Sequence, residues 1–314
     1  MKVIMNSLTA RKVLFIACVL MCIFPQIGTA TGLIMGIVFS LLLGNPWPCI
    51  SAKLSKILLQ ISVVGLGFGL SLGEVLQTGK DSVIFTIVGI TFTLVVGFSL
   101  GKVFNTNRNT SALISFGTAI CGGSAIAAMA PVLKAEDDET AIALATVFTL
   151  NSIALLLFPV IGHALHLSQN VFGTWAGLAI HDTSSVVGAA ASYGKHALAV
   201  GTIVKLTRAI WITPVVVGTA WLKESRQRAK VPLFIIGFIL AAAIRTLLPQ
   251  YGDYWGELAA FAKQSLVITL FLIGAGLSRE VLRKVGVRPL LQGVTLWLIV
   301  SSLTLTALLF IGIA

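Results

Sequence analysis

Eleven predominantly apolar runs follow one another along this chain, at roughly 13–24, 27–44, 55–77, 82–101, 112–133, 140–162, 171–193, 197–221, 231–248, 255–277 and 289–313. All but the first approach the ~20 residues a helix needs to cross a bilayer's hydrocarbon core. The segments between them are too short to hold a soluble domain. Backbone inside a bilayer must satisfy its own hydrogen bonds, which helices do. The expected fold is therefore all-α: one polytopic membrane domain over 1–314, with about eleven transmembrane helices. Composition excludes the other basic classes. The net charge is +11, yet charged residues are only 11% and hydrophobic residues 57%. A nucleic-acid-binding or disordered chain would be basic without being this apolar. The expected partner is the bilayer, with no nucleic acid. Cys18, Cys22, Cys49 and Cys121 form no CxxC pair, so no metal site or disulfide framework is read from them.

Basic residues orient the chain. With the N-terminus inside, the cytoplasmic segments carry 15 Lys and Arg, among them Arg11, Lys12, Lys53, Lys56, Lys102, Arg108 and Lys223. The outer segments carry four: Lys80, Lys134, Lys195 and Arg245. The positive-inside rule then places the N-terminus in the cytoplasm and the C-terminus outside. Segment 12–24 reads as a short first span. With Arg11-Lys12 before it and Gly28-Thr29-Ala30 after it, it also resembles a signal peptide. Its cleavage would leave ten spans in the same orientation.

Internal likenesses suggest a repeat. Gly67-Phe68-Gly69-Leu70-Ser71 recurs as Gly274-Ala275-Gly276-Leu277-Ser278, and Gly36 resembles Gly237. Six spans separate the two Gly-x-Gly spans, so the copies run in opposite directions. Segments 27–104 and 231–313 are thus expected to be related by an inverted repeat, a common transporter plan. Close helix packing at small residues explains Gly-x-Gly equally simply. A second likeness pairs Ala119–Ile126 with Ala179–Val186. Only one span lies between these, which fits no simple inverted pair. Either one segment is re-entrant or the likeness is local.

Segment 112–221 holds the candidate site. Cys121-Gly122-Gly123-Ser124 interrupts the fifth run, and the helix is expected to break there and restart near Ser124. The restarted half would aim its N–H groups at the midplane, a setting that favours an anion. In the seventh run His181-Asp182-Thr183-Ser184-Ser185 sits at the centre. Asp182 is the only carboxylate deep in any span. Asp182, Thr183 or Ser184 would cap a second half-helix, and His181, Ser184, Ser185 and Gly188 share one face at helical spacing. A charge at that depth costs about 3 kcal/mol or more and so marks function. Lys205 and Arg208 lie three residues apart in the eighth run. They would neutralise Asp182 or hold an anionic substrate. Two cations against one carboxylate leave positive charge for an anion to balance. Thr118 and Asn151 are further candidates, Asn151 for a substrate contact or a bond between helices. Glu136-Asp137-Asp138-Glu139 reads as an outer loop capping the next helix.

These runs, together with Pro131–Glu136, Val186–Ala189, Lys205–Arg208 and Pro214, resemble the YeiH family of bacterial inner-membrane proteins, commonly labelled sulfate exporters. The resemblance covers about 30–313. It implies an inner-membrane protein, distantly similar to bile acid/sodium symporters and cation/proton antiporters. That likeness implies crossed, broken helices, a panel domain and a homodimer. The expected function is secondary transport of a small anion, such as sulfate or an organosulfonate, by alternating access. Cys121, Gly122, Gly123, Ser124, Thr183, Ser184, Ser185, Lys205 and Arg208 would hold the anion. Asp182 and His181 would couple it to H⁺ or Na⁺, with no other cofactor. The alternative is a cation/proton antiporter using Asp182. An enzyme is not expected, because adjacent His and Asp on a helix point about 100° apart and cannot line up as a triad.

Overall fold

The computed structural model describes residues 8–223, 233–276 and 286–311. Lys2, Glu224, Arg226, Arg228, Lys230, Glu280 and Arg279, Arg283, Lys284 lie outside them, as do Leu277 and Ser278 of the second glycine motif. Every regular element described is helical. In chain order these are α1 (Leu8–Met21), α2 (Thr29–Leu43), α3 (Pro48–Gly67), α4 (Leu72–Val103), α5 (Arg108–Ala119), α6 (Gly123–Leu133) and α7 (Asp137–Ala164). There follow α8 (Gln169–Ala179), α9 (Thr183–Tyr193), α10 (Lys195–Ile210), α11 (Ile212–Leu222), α12 (Leu233–Leu247), α13 (Gly252–Ala275) and α14 (Val287–Ile311). Among the described residues, six helical stretches are long and apolar enough to cross a membrane: Pro48–Gly67, Leu72–Val103, Asp137–Ala164, Lys195–Leu222, Pro249–Ala275 and Val287–Phe310. Thr29–Leu43, Gly123–Leu133 and Leu233–Leu247 are shorter apolar helices. The protein is a polytopic helical membrane protein.

One boundary differs from its expected place. The third run, 55–77, ends as helix at Gly67, and the polar stretch 77–81 lies in the second and third turns of the 32-residue α4. A capping box starts that helix early. The Ser71 amide donates to Glu74 Oε2 at 2.7 Å, and the Glu74 amide donates to Ser71 Oγ at 3.2 Å. Gln77 then donates to Asp81 one turn on.

The chain divides into two compact units. The first joins Met1–Val75 with Leu233–Val281, and the second joins Leu76–Pro232 with Leu282–Ala314. Residues 76–103 and 287–311 therefore belong with the segment 112–221, not with the glycine-motif helices. In the first unit the four glycines matched by sequence pack crosswise. A Cβ on Gly36 of α2 would stand 2.1 Å from the Phe271 carbonyl oxygen of α13, and one on Gly274 2.5 Å from that of Leu33. Equivalently, Gly67 of α3 would meet the Phe238 oxygen of α12 at 2.5 Å, and Gly237 would meet Val64 at 2.8 Å. Small residues at these positions let backbones touch.

The second unit holds two helical hairpins, within 112–133 and 171–193, the re-entrant alternative that the internal likeness left open. α5 enters, the chain turns at Ile120–Gly122, and α6 returns to the end where α5 began. Asn109 Nδ2 therefore reaches Glu139 Oε2 at 2.9 Å across the mouth. α7 runs alongside α5, with Gly117 against Val147, and crosses to the far end. There α8 enters, the chain turns at Ile180–Asp182, and α9 returns. Tyr193 Oη donates to the Leu167 carbonyl at 2.6 Å, and the His196 amide to Gln169 Oε1 at 2.9 Å. α10 runs alongside α8, with Gly173 against Ala197 and Gly177 against Val204. The arms are 11 or 12 residues long. At 1.5 Å per residue each spans about half of the ~30 Å hydrocarbon core. The acidic stretch 136–139 caps α7 as expected, with the Glu136 amide donating to Glu139 Oε2. Yet that stretch and Lys134 lie at the same end of the unit as Arg108, not at the opposite one.

Candidate functional site

Both hairpins turn where the sequence breaks the helix. α5 ends at Ala119, and α6 restarts at Gly123 with Gly122 as its N-cap at φ +66°. That left-handed backbone suits glycine. Crowding adds to it, since a Cβ at Gly122 would stand 3.3 Å from the Cβ and 3.4 Å from the Cα of Asp182. The two tips therefore touch. α8 ends at Ala179, and α9 restarts at Thr183 behind the N-cap Asp182. The Asp182 carboxylate accepts from the Ser184 amide at 3.0 Å and from the Ser184 hydroxyl. Its own amide donates to Asn151 Oδ1 at 3.3 Å. Gly122→Ala will combine backbone strain with a tip collision. We expect a loss of about 1–3 kcal/mol, read as a lower melting temperature in detergent.

Lys205 and Arg208 answer the opposite ends of the same breaks. Both are buried. Lys205 Nζ donates to the Ile120 carbonyl at 3.1 Å and to that of Ile180 at 2.7 Å. Arg208 Nε donates to the Ala119 carbonyl at 2.5 Å, Nη2 to that of Thr118 at 3.1 Å, and Nη1 to that of Leu178. One helix, α10, thus caps the carbonyl ends of both incoming arms. Each such end carries about half a negative charge. Among the described residues neither cation forms an ion pair with Asp182. Their donors are directed instead to five carbonyl oxygens, those of Thr118, Ala119, Ile120, Leu178 and Ile180.

The remaining candidates are uneven. Cys121 and Gly122 are buried in the first tip, Gly123 is half-buried, and Ser124 is exposed at the start of α6. Thr183, Ser184 and Ser185 are buried at the start of α9, and Asp182 is half-buried. His181 lies in the turn before α9, so it does not continue the helical face of Ser184, Ser185 and Gly188. Both of its ring nitrogens are buried without a hydrogen-bond partner, as are Thr118 Oγ1 and Asn151 Nδ2. Asn151 does join two helices through its other amide atom. Leaving such groups unpaired costs about 1–3 kcal/mol each, and these gather around one pair of tips. Two features escaped the sequence reading. Backbone carbonyls of Ile120 and Ile180 have no residue-type signature. Thr202, whose buried hydroxyl is also unpartnered, was legible as one turn before Lys205 on the same helix face.

A family model described as conserved hypothetical protein 698 matches residues 13–293. The chain belongs to that family. A UPF0324 membrane protein of Geobacter sulfurreducens is 66% identical over 304 residues, covering 97% of this chain and 98% of the relative. One from Bdellovibrio bacteriovorus is 47% identical over 312 residues, covering 97% and 96%. One from Bacteroides thetaiotaomicron is 51% identical over 285 residues, covering 89% and 86%. These matches agree with the resemblance to the YeiH family. No solved structure matches.

Proposed function

We propose that this member of the UPF0324 membrane protein family is a secondary transporter of a small anion such as sulfate or an organosulfonate. The observation that carries the reading is the meeting of two hairpin tips whose carbonyl ends are both held by buried cations. That arrangement leaves the N-terminal ends of α6 and α9 as the electropositive pair at the tips. The anion's ligands are then the backbone N–H groups of Gly123, Ser124, Thr183 and Ser185, with the Ser124, Thr183 and Ser185 hydroxyls beside them, while Ser184 holds the Asp182 carboxylate. Lys205 and Arg208 act behind them as positioning residues that set the field. The two hairpins enter from opposite ends, and the glycine helices of the first unit pair crosswise. Both features support an inverted repeat and alternating access. The basic residues support a cytoplasmic N-terminus in a bacterial inner membrane. With Lys134 moved to the inner side, the bias becomes 16 to 3.

The rival, a cation/proton antiporter, draws on one observation: the Asp182 carboxylate makes no ion pair among the described residues. A thermal-shift titration separates the two. Ser124 is exposed at the second residue of α6, so Ser124→Asp adds a carboxylate where a helix start favours one. Sulfate or a small sulfonate is expected to raise the melting temperature of the wild type, and Ser124→Asp to abolish that shift without lowering basal stability. An unchanged anion shift in the variant, or stabilisation by Na⁺ alone in both proteins, overturns the anion reading.

A further inference from the structure

Toward the mouth of the first hairpin, the second unit contains a cavity of about 630 Å³ among the last turns of α4, one side of α5 and the ends of α6 and α11. One wall is apolar, formed by Phe98 and Phe116 with ring centroids 5.9 Å apart in an edge-to-face contact. The rim is cationic. Lys102 lies in the last turn of α4, Arg108 opens α5, and Lys223 follows α11. All three are exposed, and none forms an ion pair among the described residues. The nearby Glu139 carboxylate is already an acceptor for the Asn109 side chain and the Glu136 amide. Thr106 also lines the cavity, and its hydroxyl is buried without a hydrogen-bond partner.

We propose that this cavity binds an anionic phospholipid, with the phosphate at Lys102, Arg108 and Lys223 and the first acyl segment along Phe98 and Phe116. Lys102 and Lys223 stand at the ends of spanning stretches, and Arg108 stands at the mouth of the hairpin beside them; that is the depth at which lipid phosphates lie, and basic pockets between helices recruit anionic headgroups. A free oxyanion would gain nothing from the two rings. A zwitterionic lipid would bring no net negative charge to the three cations. The hydroxyl of Thr106 supplies a donor for a phosphate or ester oxygen. The site lies apart from the hairpin tips and does not depend on what the tips carry.

The test uses the full chain purified in detergent, titrated with phosphatidylglycerol, phosphatidylcholine, glycerol phosphate and inorganic phosphate, and followed by melting temperature and native mass spectrometry. Phosphatidylglycerol is expected to stabilise the protein and remain bound, and the other three to do neither. Replacing Lys102, Arg108 and Lys223 together by Ala will weaken phosphatidylglycerol about 100-fold, since each basic residue near an anionic lipid contributes roughly fivefold. Lys223→Ala alone will weaken it about fivefold, which covers the case of a triple variant that folds poorly. Lys53→Ala with Lys56→Ala, on exposed positions of α3 outside the cavity, will leave binding unchanged. Equal stabilisation by phosphatidylcholine makes the site a nonspecific apolar groove. Equal stabilisation by glycerol phosphate makes it a soluble-anion site. An equal loss in the Lys53/Lys56 variant reduces it to general surface charge. Each of these outcomes overturns the proposal.

Discussion

Arg208→Leu is expected to lose most of its folded protein, not merely its ligand. The guanidinium is fully buried and donates to three carbonyl oxygens on two different hairpins. Leucine fills much of the volume but leaves the oxygens of Thr118, Ala119 and Leu178 without their donor. Each buried orphan costs about 1–3 kcal/mol, and the carbonyl ends of α5 and α8 lose the positive charge opposite them. The sum, about 3–9 kcal/mol, rivals the ~5–15 kcal/mol stability of a typical domain. Size-exclusion profiles in detergent should show little monodisperse protein, with a melting temperature at least ~10 °C below wild type for any that remains. Arg208→Lys should fall between, because one ammonium cannot span three carbonyls in the fork geometry of a guanidinium. A well-folded Arg208→Leu that has lost only anion binding would instead make Arg208 a direct substrate ligand. The same logic forbids using Arg208→Gln alone as a probe of binding, since it perturbs the scaffold first.

How far the sequence revealed this arrangement differs residue by residue. The breaks were legible. Gly122-Gly123 is a poor helix interior, Asp182 is a strong N-cap, and both fall within one residue of where their helices restart. The path of the chain on either side was not. Hydropathy registers some twenty apolar residues whether a segment crosses or turns back, and α5 with α6 supplies that length in two half-depth arms. The likeness of Ala119–Ile126 to Ala179–Val186 held the missing information. It fits no pair of full crossings separated by one span, but it fits two hairpin tips entering from opposite ends with α7 between them. The cations show another limit. Their spacing placed Lys205 and Arg208 on one face correctly, but their partners are main-chain oxygens, and no residue type announces a carbonyl. The formal excess of two cations over one carboxylate therefore leaves the main-chain charge out of the count. The two carbonyl ends already offset about one unit of it.

Asp182→Asn separates charge from architecture at the same place. Asparagine caps a helix as well as aspartate does. Its Oδ1 can still accept from the Ser184 amide, so stability should change by less than about 1 kcal/mol. What disappears is the one negative charge at the tips. The carboxylate stands beside Gly122, the N-cap of α6, so an anion arriving at that helix start meets a like charge unless Asp182 is protonated. Removing that charge by Asp182→Asn should therefore ease the anion's approach to the start of α6. In detergent, anion affinity is expected to rise about tenfold, a typical coupling between two interacting sites. In proteoliposomes, a pH gradient should no longer drive anion accumulation, while exchange of labelled for unlabelled anion continues. If the variant abolishes both modes together with a cation-dependent proton flux, Asp182 is a cation ligand and the antiporter reading takes over. If pH-driven accumulation persists unchanged, coupling resides elsewhere, and the orphaned His181 ring is the next group to test.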